Sequence, residues 1–336
     1  MLSRIYGSAA RRRRRWYALR PAVRRRLDRP VISVGALAAG GSGKTPVAAL
    51  VAGLLTAAGE RPAVLSRGYA RRRPHDGVVV VRDWQALRAG VDEAGDEPLM
   101  LARALPAAAV LVSEDRYLAG RFAETILGAT VHVLDDGFQH LPLQRDVDLL
   151  LLSERDLEDP RTFPGGRLRE PLEASRGVDA ALVETPHPAT ARDVADCCGV
   201  ERAFHFTRSI LALRDAVSGA RADLSPATPI VAVAGIARPQ AFFDGLRRAG
   251  YALAAAAAFR DHYRYTAGDV ARIGRLAVEH RAEHVVTTEK DLVRLLPHAP
   301  FRFSLLAAPL QVDVEPAAAF HAWLAEQVSR ARERTR

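Results

Sequence analysis

Lysine is nearly absent from this chain. Of 48 basic residues among 336, two are lysine, Lys44 and Lys290, and the rest are arginine. Arginine- and alanine-rich usage of this kind follows from a GC-rich genome, so most arginines need no individual account. The two lysines do, because each marks a place where a compact ammonium suits better than a planar fork. Cysteine is as scarce: Cys197 and Cys198 are adjacent, a bond between them would be strained, and with no histidine within five residues they make a poor metal site. That excludes a disulfide framework and leads us to expect a reducing compartment. No stretch approaches 18 apolar residues free of charge, which argues against a membrane-spanning helix.

What is present is an ordinary globular composition, 49% hydrophobic and 26% charged, with its charge unevenly placed. Residues 1–29 hold eleven arginines against the single acid Asp28, a local charge of +10, while the whole chain carries +9. The body is therefore close to neutral and the arm alone is basic. Apolar residues are interleaved with the arginines: Leu2, Ile5 and Tyr6, then Trp16, Tyr17, Leu19, Val23 and Leu27. Their spacing of three to four, broken at Pro21, fits one or two amphipathic helices on an anionic bilayer surface. A nucleic-acid-binding tail and a plain solvated tail are the alternatives. No apolar core follows the charges, so the arm does not read as a signal peptide.

Beyond the arm, short apolar runs alternate with helical stretches. Strands are expected at 31–36, 62–66, 77–82, 108–113, 130–134, 147–152 and 178–183, with helices such as 45–58 and 115–127 between them. Continuous rather than alternating apolar character means strands buried on both faces, hence a mostly parallel α/β sheet with helices on both sides. After residue 200 two extended pieces suggest a connecting ribbon, and a strand–loop–helix pattern then restarts. The expected organisation is an arm (1–29), a P-loop core (30–202), a β-ribbon (203–225), a smaller second α/β lobe (226–313) and a C-terminal helix (314–336).

Four stretches are candidates for chemistry. "ALAAGGSGKT" (36–45) ends as a phosphate-binding loop does, with Gly43, Lys44 and Thr45 opening a helix after a buried strand. Ala38 stands where the usual pattern begins with glycine. Backbone N–H groups of Ala38, Ala39, Gly40, Gly41, Ser42 and Gly43 are expected to wrap phosphate, Lys44 to reach the terminal phosphates and Thr45 to hold Mg²⁺. "TVHVLDDGFQH" (130–140) is an apolar strand ending in Asp135 and Asp136, where carboxylates hold Mg²⁺ directly or through water. Asp96 and Glu97 precede an apolar helix and read equally as an acidic first turn. Asp261 and His262 sit in "FRDHYRY" (259–265). No guanine-reading N-K-x-D is visible.

Together with "LSRGYARR", "GDEPLMLA", "FPGGRLREPL", "VAGIARPQAFF" and "VVTTEKDLVRL", these stretches resemble the tetraacyldisaccharide 4′-kinases, in order from about residue 3 to 325. The resemblance implies phosphoryl transfer from ATP–Mg²⁺ to a tetraacylated glucosamine disaccharide 1-phosphate at the cytoplasmic face of the bacterial inner membrane, with no nucleic acid involved. It implies catalytic roles for Lys44, Asp96 as base, His262 as its partner, and Arg116, a metal role for Thr45, Asp135 and Asp136, and contacts to substrate from Arg169 and Glu170. Two positions depart from the family pattern, Ala36 for asparagine and Ala38 for threonine or serine. The rival readings are a P-loop ATPase or GTPase that drives metal delivery or another protein, and a non-enzymatic nucleic-acid binder.

Overall fold

The computed structural model describes residues 1–69, 71–73 and 75–334. Ala70 of the "LSRGYARR" stretch and the last two residues of the expected C-terminal helix lie outside these. The first helix, α1 (Leu2–Ala18), leads through a short turn to β1 (Val31–Ala36) and α2 (Lys44–Ala57). There follow β2 (Pro62–Ser66), β3 (Val79–Arg82), α3 (Val91–Ala94), α4 (Asp96–Ala104), β4 (Ala109–Val112), α5 (Arg116–Thr125), β5 (Val131–Asp135), β6 (Val147–Leu152), α6 (Glu154–Glu158), β7 (Ala180–Glu184), α7 (Pro188–Cys197) and β8 (Ala203–Ile210).

These strands and a late one, β14 (Leu310–Glu315), form a nine-stranded sheet in the order β14-β8-β7-β6-β1-β5-β2-β4-β3. The strands from β8 to β4 are parallel, and the two outer ones are antiparallel. All six residues of β1 are buried, as expected of a β-branched run covered on both faces. One face packs on α2, α4 and the last helix, α11 (Ala317–Glu333), through Val34, Val51, Leu101 and Phe320. Ala119 of α5 and Val194 of α7 belong to clusters on the other face. The stretch expected as a buried strand at 77–82 is instead a short antiparallel edge, partly exposed because only β4 flanks it.

The second lobe is a five-stranded sheet, β11-β10-β12-β13-β9. It is built from β9 (Arg214–Asp215), β10 (Pro229–Ala234), α8 (Pro239–Arg248), β11 (Ala252–Ala258), α9 (Ala267–Glu279), β12 (His284–Thr288), α10 (Glu289–Leu295) and β13 (Ser304–Ala308). The connection between lobes is double: β8 runs out and β14 returns beside it. Residues 310–313 therefore belong to the first sheet rather than the second lobe, because Val312 and Val314 alternate inward onto the first core. One element of the second lobe also docks there, since Val293 of α10 is buried in that same core against α4.

Candidate active site

The glycine loop lies between β1 and α2, and the parallel register sets Val34 of β1 opposite Asp135 at the end of β5. The chain after β5 crosses very close to β1: a Cβ at Gly35 would lie 2.4 Å from Phe138 Cβ and 2.8 Å from its backbone N, so only glycine fits. Gly43 caps α2 with φ of 81°, and Lys44 and Thr45 form the first turn, where free N–H groups and the helix dipole favour an anion. Lys44 Nζ donates to Ser42 Oγ at 3.2 Å and lies 3.6 Å from Asp136. The Thr45 hydroxyl donates to Asp135 Oδ1 at 3.3 Å.

Two residues expected in the phosphate cradle have backbone groups already engaged. Ala38 is buried, bridged to Leu168, and its carbonyl accepts from Arg169; the Ala39 N–H already donates to the Arg167 carbonyl. Ala36 is likewise a buried core residue whose carbonyl accepts from Gln139, so both departures from the family pattern place methyl groups in the core beside working backbone.

The two carboxylates after β5 differ in environment. Asp135 is buried, and burial, with Glu97 and Asp136 nearby, pushes its carboxyl well up against the opposing pull of Lys44 and the Thr45 hydroxyl. Burial also acts on Asp136, but the paired hydrogen bonds from Arg169 at 2.7 and 2.8 Å, with Lys44 and Arg116, hold it below the usual carboxylate range. Asp136 stands at φ 56°, one of three described non-glycine residues in the left-handed region; His262 is another. Arg116 is buried, its Nε has no partner, and burial beside Arg67 lowers its guanidinium to about 10. No group of three or more His, Cys, Asp or Glu among the described residues is arranged to hold a metal. Mg²⁺ keeps several waters and takes only one or two protein carboxylates beside phosphate oxygens. Asp135, an under-compensated buried oxygen donor next to Thr45, fits it.

Asp96 and His262, 166 residues apart, meet across the lobes: His262 Nδ1 lies 2.8 Å from Asp96 Oδ2. Asp96 is 4% exposed at the start of α4. Burial alone would raise its carboxyl, but the His262 hydrogen bond and the charges of Lys290 and Arg294 outweigh it and hold the group below the ordinary value. Arg294 Nε is 3.5 Å from the same oxygen. The loop bearing His262 is anchored by Arg294, which donates to the carbonyls of Tyr263 and Gly235, and by fully buried Asp291, which accepts from Tyr265, Thr288, Arg294 and the Gly235 amide. Asp291 and Arg294 escaped the sequence reading, although their i, i+3 spacing in "EKDLVRL" was a visible sign.

Glu170 is buried and engaged by the arm. Arg14 of α1 pairs with it at 2.6 and 2.9 Å and lies 4.2 Å over the Phe138 ring. The Ser3 carbonyl accepts from Thr162, and its hydroxyl accepts from the Gly165 amide. On the other side of the loop, a cavity of about 470 Å³ is lined by Gly41, Ser42, Arg155, Arg167, Arg208 and Arg238, with Glu184 paired to Arg208. Arg238 comes from the second lobe, and a Cβ at Gly41 would meet its Nε at 3.1 Å. The general excess of arginine hid it from the sequence reading.

A parallel sheet with a glycine loop on its central strand, a strand-end carboxylate pair, and a second lobe that carries a histidine to a first-lobe aspartate defines a two-lobed P-loop phosphotransferase. The family model for tetraacyldisaccharide-1-P 4′-kinase matches residues 1–329, and the chain belongs to that family. A tetraacyldisaccharide 4′-kinase of Geobacter sulfurreducens is 39% identical over 320 residues, covering 93% of this chain and 88% of the relative. One from Methylobacterium nodulans is 39% identical over 326 residues, covering 96% and 90%. The crystal structure of LpxK from Aquifex aeolicus in complex with ATP superposes with a TM-score of 0.79 at 31% identity, covering 97% of each chain.

Proposed function

We propose that this protein transfers the γ-phosphoryl group of ATP to the 4′-hydroxyl of a tetraacyldisaccharide 1-phosphate, working on the cytoplasmic leaflet of a bacterial inner membrane. The observation that carries the reading is the cross-lobe hydrogen bond between Asp96 and His262. A sugar hydroxyl attacks phosphorus poorly until its proton has an acceptor, and a carboxylate held ionised and oriented is one. Asp96 takes that proton, and His262 orients it. Lys44, Arg116 and the amides from Gly40 to Thr45 offset charge on the transferring phosphoryl group. Thr45 and Asp135 would hold Mg²⁺, which supplies charge neutralisation at the phosphates when bound. Arg169 keeps Asp136 ionised and turned toward Lys44.

For the membrane, the support is the arm. Its arginines Arg14 and Arg25 are committed to Glu170 and Asp115, whereas Leu2, Ile5, Trp16 and Leu19 face solvent. Exposed apolar residues flanked by basic ones match an anionic lipid surface better than a nucleic acid. No described helix is long and apolar enough to cross a membrane. The test is phosphate transfer from radiolabelled ATP to tetraacyldisaccharide 1-phosphate by the purified chain with Mg²⁺. Wild type should label the lipid, and Lys44→Ala should lower turnover by about 10³-fold or more, the scale of a lost phosphate-stabilising charge. Hydrolysis of ATP with no lipid label would overturn the proposal in favour of a P-loop ATPase.

A further inference from the structure

Lys290 is the second of the two lysines, and the roles above leave it without a task. Its ammonium lies 2.9 Å from Glu97 Oε1, 3.2 Å from Asp261 Oδ1 and 3.2 Å from His262 Nε2. These are three acceptors for three N–H bonds, one from the first lobe and two from the second. An ammonium can only donate, so His262 Nε2 must accept and carry no proton. The imidazole proton then sits on Nδ1, where it is donated to Asp96 Oδ2 at 2.8 Å. Resting on the assignment of Asp96 as base, we propose that Lys290 is a positioning residue that locks His262 in its Nδ1–H tautomer and so aims and keeps ionised the carboxylate that accepts the sugar proton.

The geometry explains why lysine persists in a chain that otherwise uses arginine. Three acceptors converge on one point, which a single tetrahedral nitrogen satisfies and a planar fork does not. Burial works against the Lys290 charge, but Glu97, Asp96 and Asp261 more than restore it, so the group stays an ammonium. The charged groups around the pair come from both lobes; Arg71 also packs on Gly95 next to Asp96, and Glu97 acts on Asp135. Asp96 is faced by His262, Lys290 and Arg294, with Glu97 beside it on α4; Asp261 lies across Lys290 and Asp291 behind Arg294; the Tyr69 ring meets His262 edge-on. Removing Lys290 takes away the cation that Glu97, Asp96 and Asp261 share. A proton then enters more readily at Asp96, which disables the base.

The test compares Lys290→Met and Lys290→Arg with wild type and Asp96→Ala, measuring kcat and KM against pH, ATP affinity by calorimetry, and a thermal melt. Lys290→Met should lower kcat at pH 7 by about 10–100-fold, the scale on which partners one contact removed from a reacting centre act. Its KM for the disaccharide and its ATP affinity should stay near wild type. The acid limb of kcat should move up by about one pH unit, the effect of losing a nearby opposite charge, so that the deficit shrinks as pH rises. Lys290→Arg should return the limb toward wild type while kcat stays low, because the charge is restored and the three-way geometry is not. A deficit equal at every pH, or one read in ATP affinity instead of kcat, would overturn the inference while leaving the base intact. Full activity of Asp96→Ala would instead overturn the assignment on which it rests. If Lys290→Met does not fold, the wild-type protein decides: ¹⁵N-histidine NMR, with His262 assigned by its loss in His262→Asn, should show an unprotonated Nε2, and a protonated one refutes the tautomer lock.

Discussion

At the scale of single residues, the functional chemistry depends on carboxylates kept charged inside the protein. Asp96 and Asp136 are each held below the ordinary value by an arginine, lysine or histidine partner that more than offsets burial, whereas Asp135 is left under-compensated. A carboxylate meant to accept a proton must be ionised and correctly turned before substrate arrives, and one meant for a cation must still lack one. Asp96→Ala and His262→Ala should each lower kcat by about 10²–10⁴-fold, the usual range for an acid–base group. ATP affinity should change little in either. Because the two act as one unit, the double variant should be little slower than the slower single, as a full kinetic cycle would read. Losses that multiply would mean that the residues work separately. An Asp96 that merely caps α4 would show as about 1 kcal/mol of lost stability with kcat unchanged.

At the scale of elements, α1 is more than a loose basic tail. Arg14 and Ser3 fasten it to the loops that follow β5 and precede Glu170, and Gly7 is buried where a Cβ would come within 3.1 Å of the Thr162 hydroxyl. Deleting residues 1–26 would therefore strip a partner from buried Glu170, a loss of about 3 kcal/mol or more by the usual behaviour of broken buried pairs. The better probe spares the docking face. Leu2→Ser, Ile5→Ser and Leu19→Ser combined should weaken partitioning onto anionic vesicles about tenfold or more, since apolar insertion contributes alongside charge. Turnover of detergent-solubilised substrate should stay close to wild type, and the residual vesicle binding should become more sensitive to salt. Unchanged sedimentation with vesicles would return α1 to a structural role alone.

At the scale of the whole molecule, two of the contacts between the lobes involve residues singled out above. One is the α4–α10 contact, where Val293 enters the first core and His262, Lys290 and Arg294 surround Asp96. The other is Arg238 against the glycine loop, in a crowd with Arg155, Arg167 and Arg208. Burial and those like charges lower its guanidinium against the pull of Glu184, one of the carboxylates in the same lining. On the proposed function, a polyphosphate bound on the loop would supply negative charge to these arginines. Arg238→Ala should accordingly weaken ATP binding about tenfold, the loss of one charge-assisted hydrogen bond, while leaving the protein without nucleotide as stable as wild type or more so. The rise in melting temperature on adding ATP–Mg²⁺ should shrink to match. An undiminished rise would mean that Arg238 does not reach the nucleotide.

The sequence alone determined whatever depends on neighbours along the chain. Buried β-branched runs required a mostly parallel sheet, the Gly43–Lys44–Thr45 turn required a helix N-terminus for phosphate, and the acids at the end of β5 stood beside it once the strands paired. The family pattern added Asp96 and His262 as a pair. Tertiary structure decided the rest, because it concerns groups that only folding brings together. The return of 310–315 to the first sheet followed from which face of that strand had a core to meet. Glu170 turned to Arg14 because the arm docks, a contact spanning 156 positions. Lys290 was conspicuous in composition from the start, yet its meaning waited on three acceptors converging from two lobes, since a hydrogen bond is a matter of distance in space and local sequence carries no record of it.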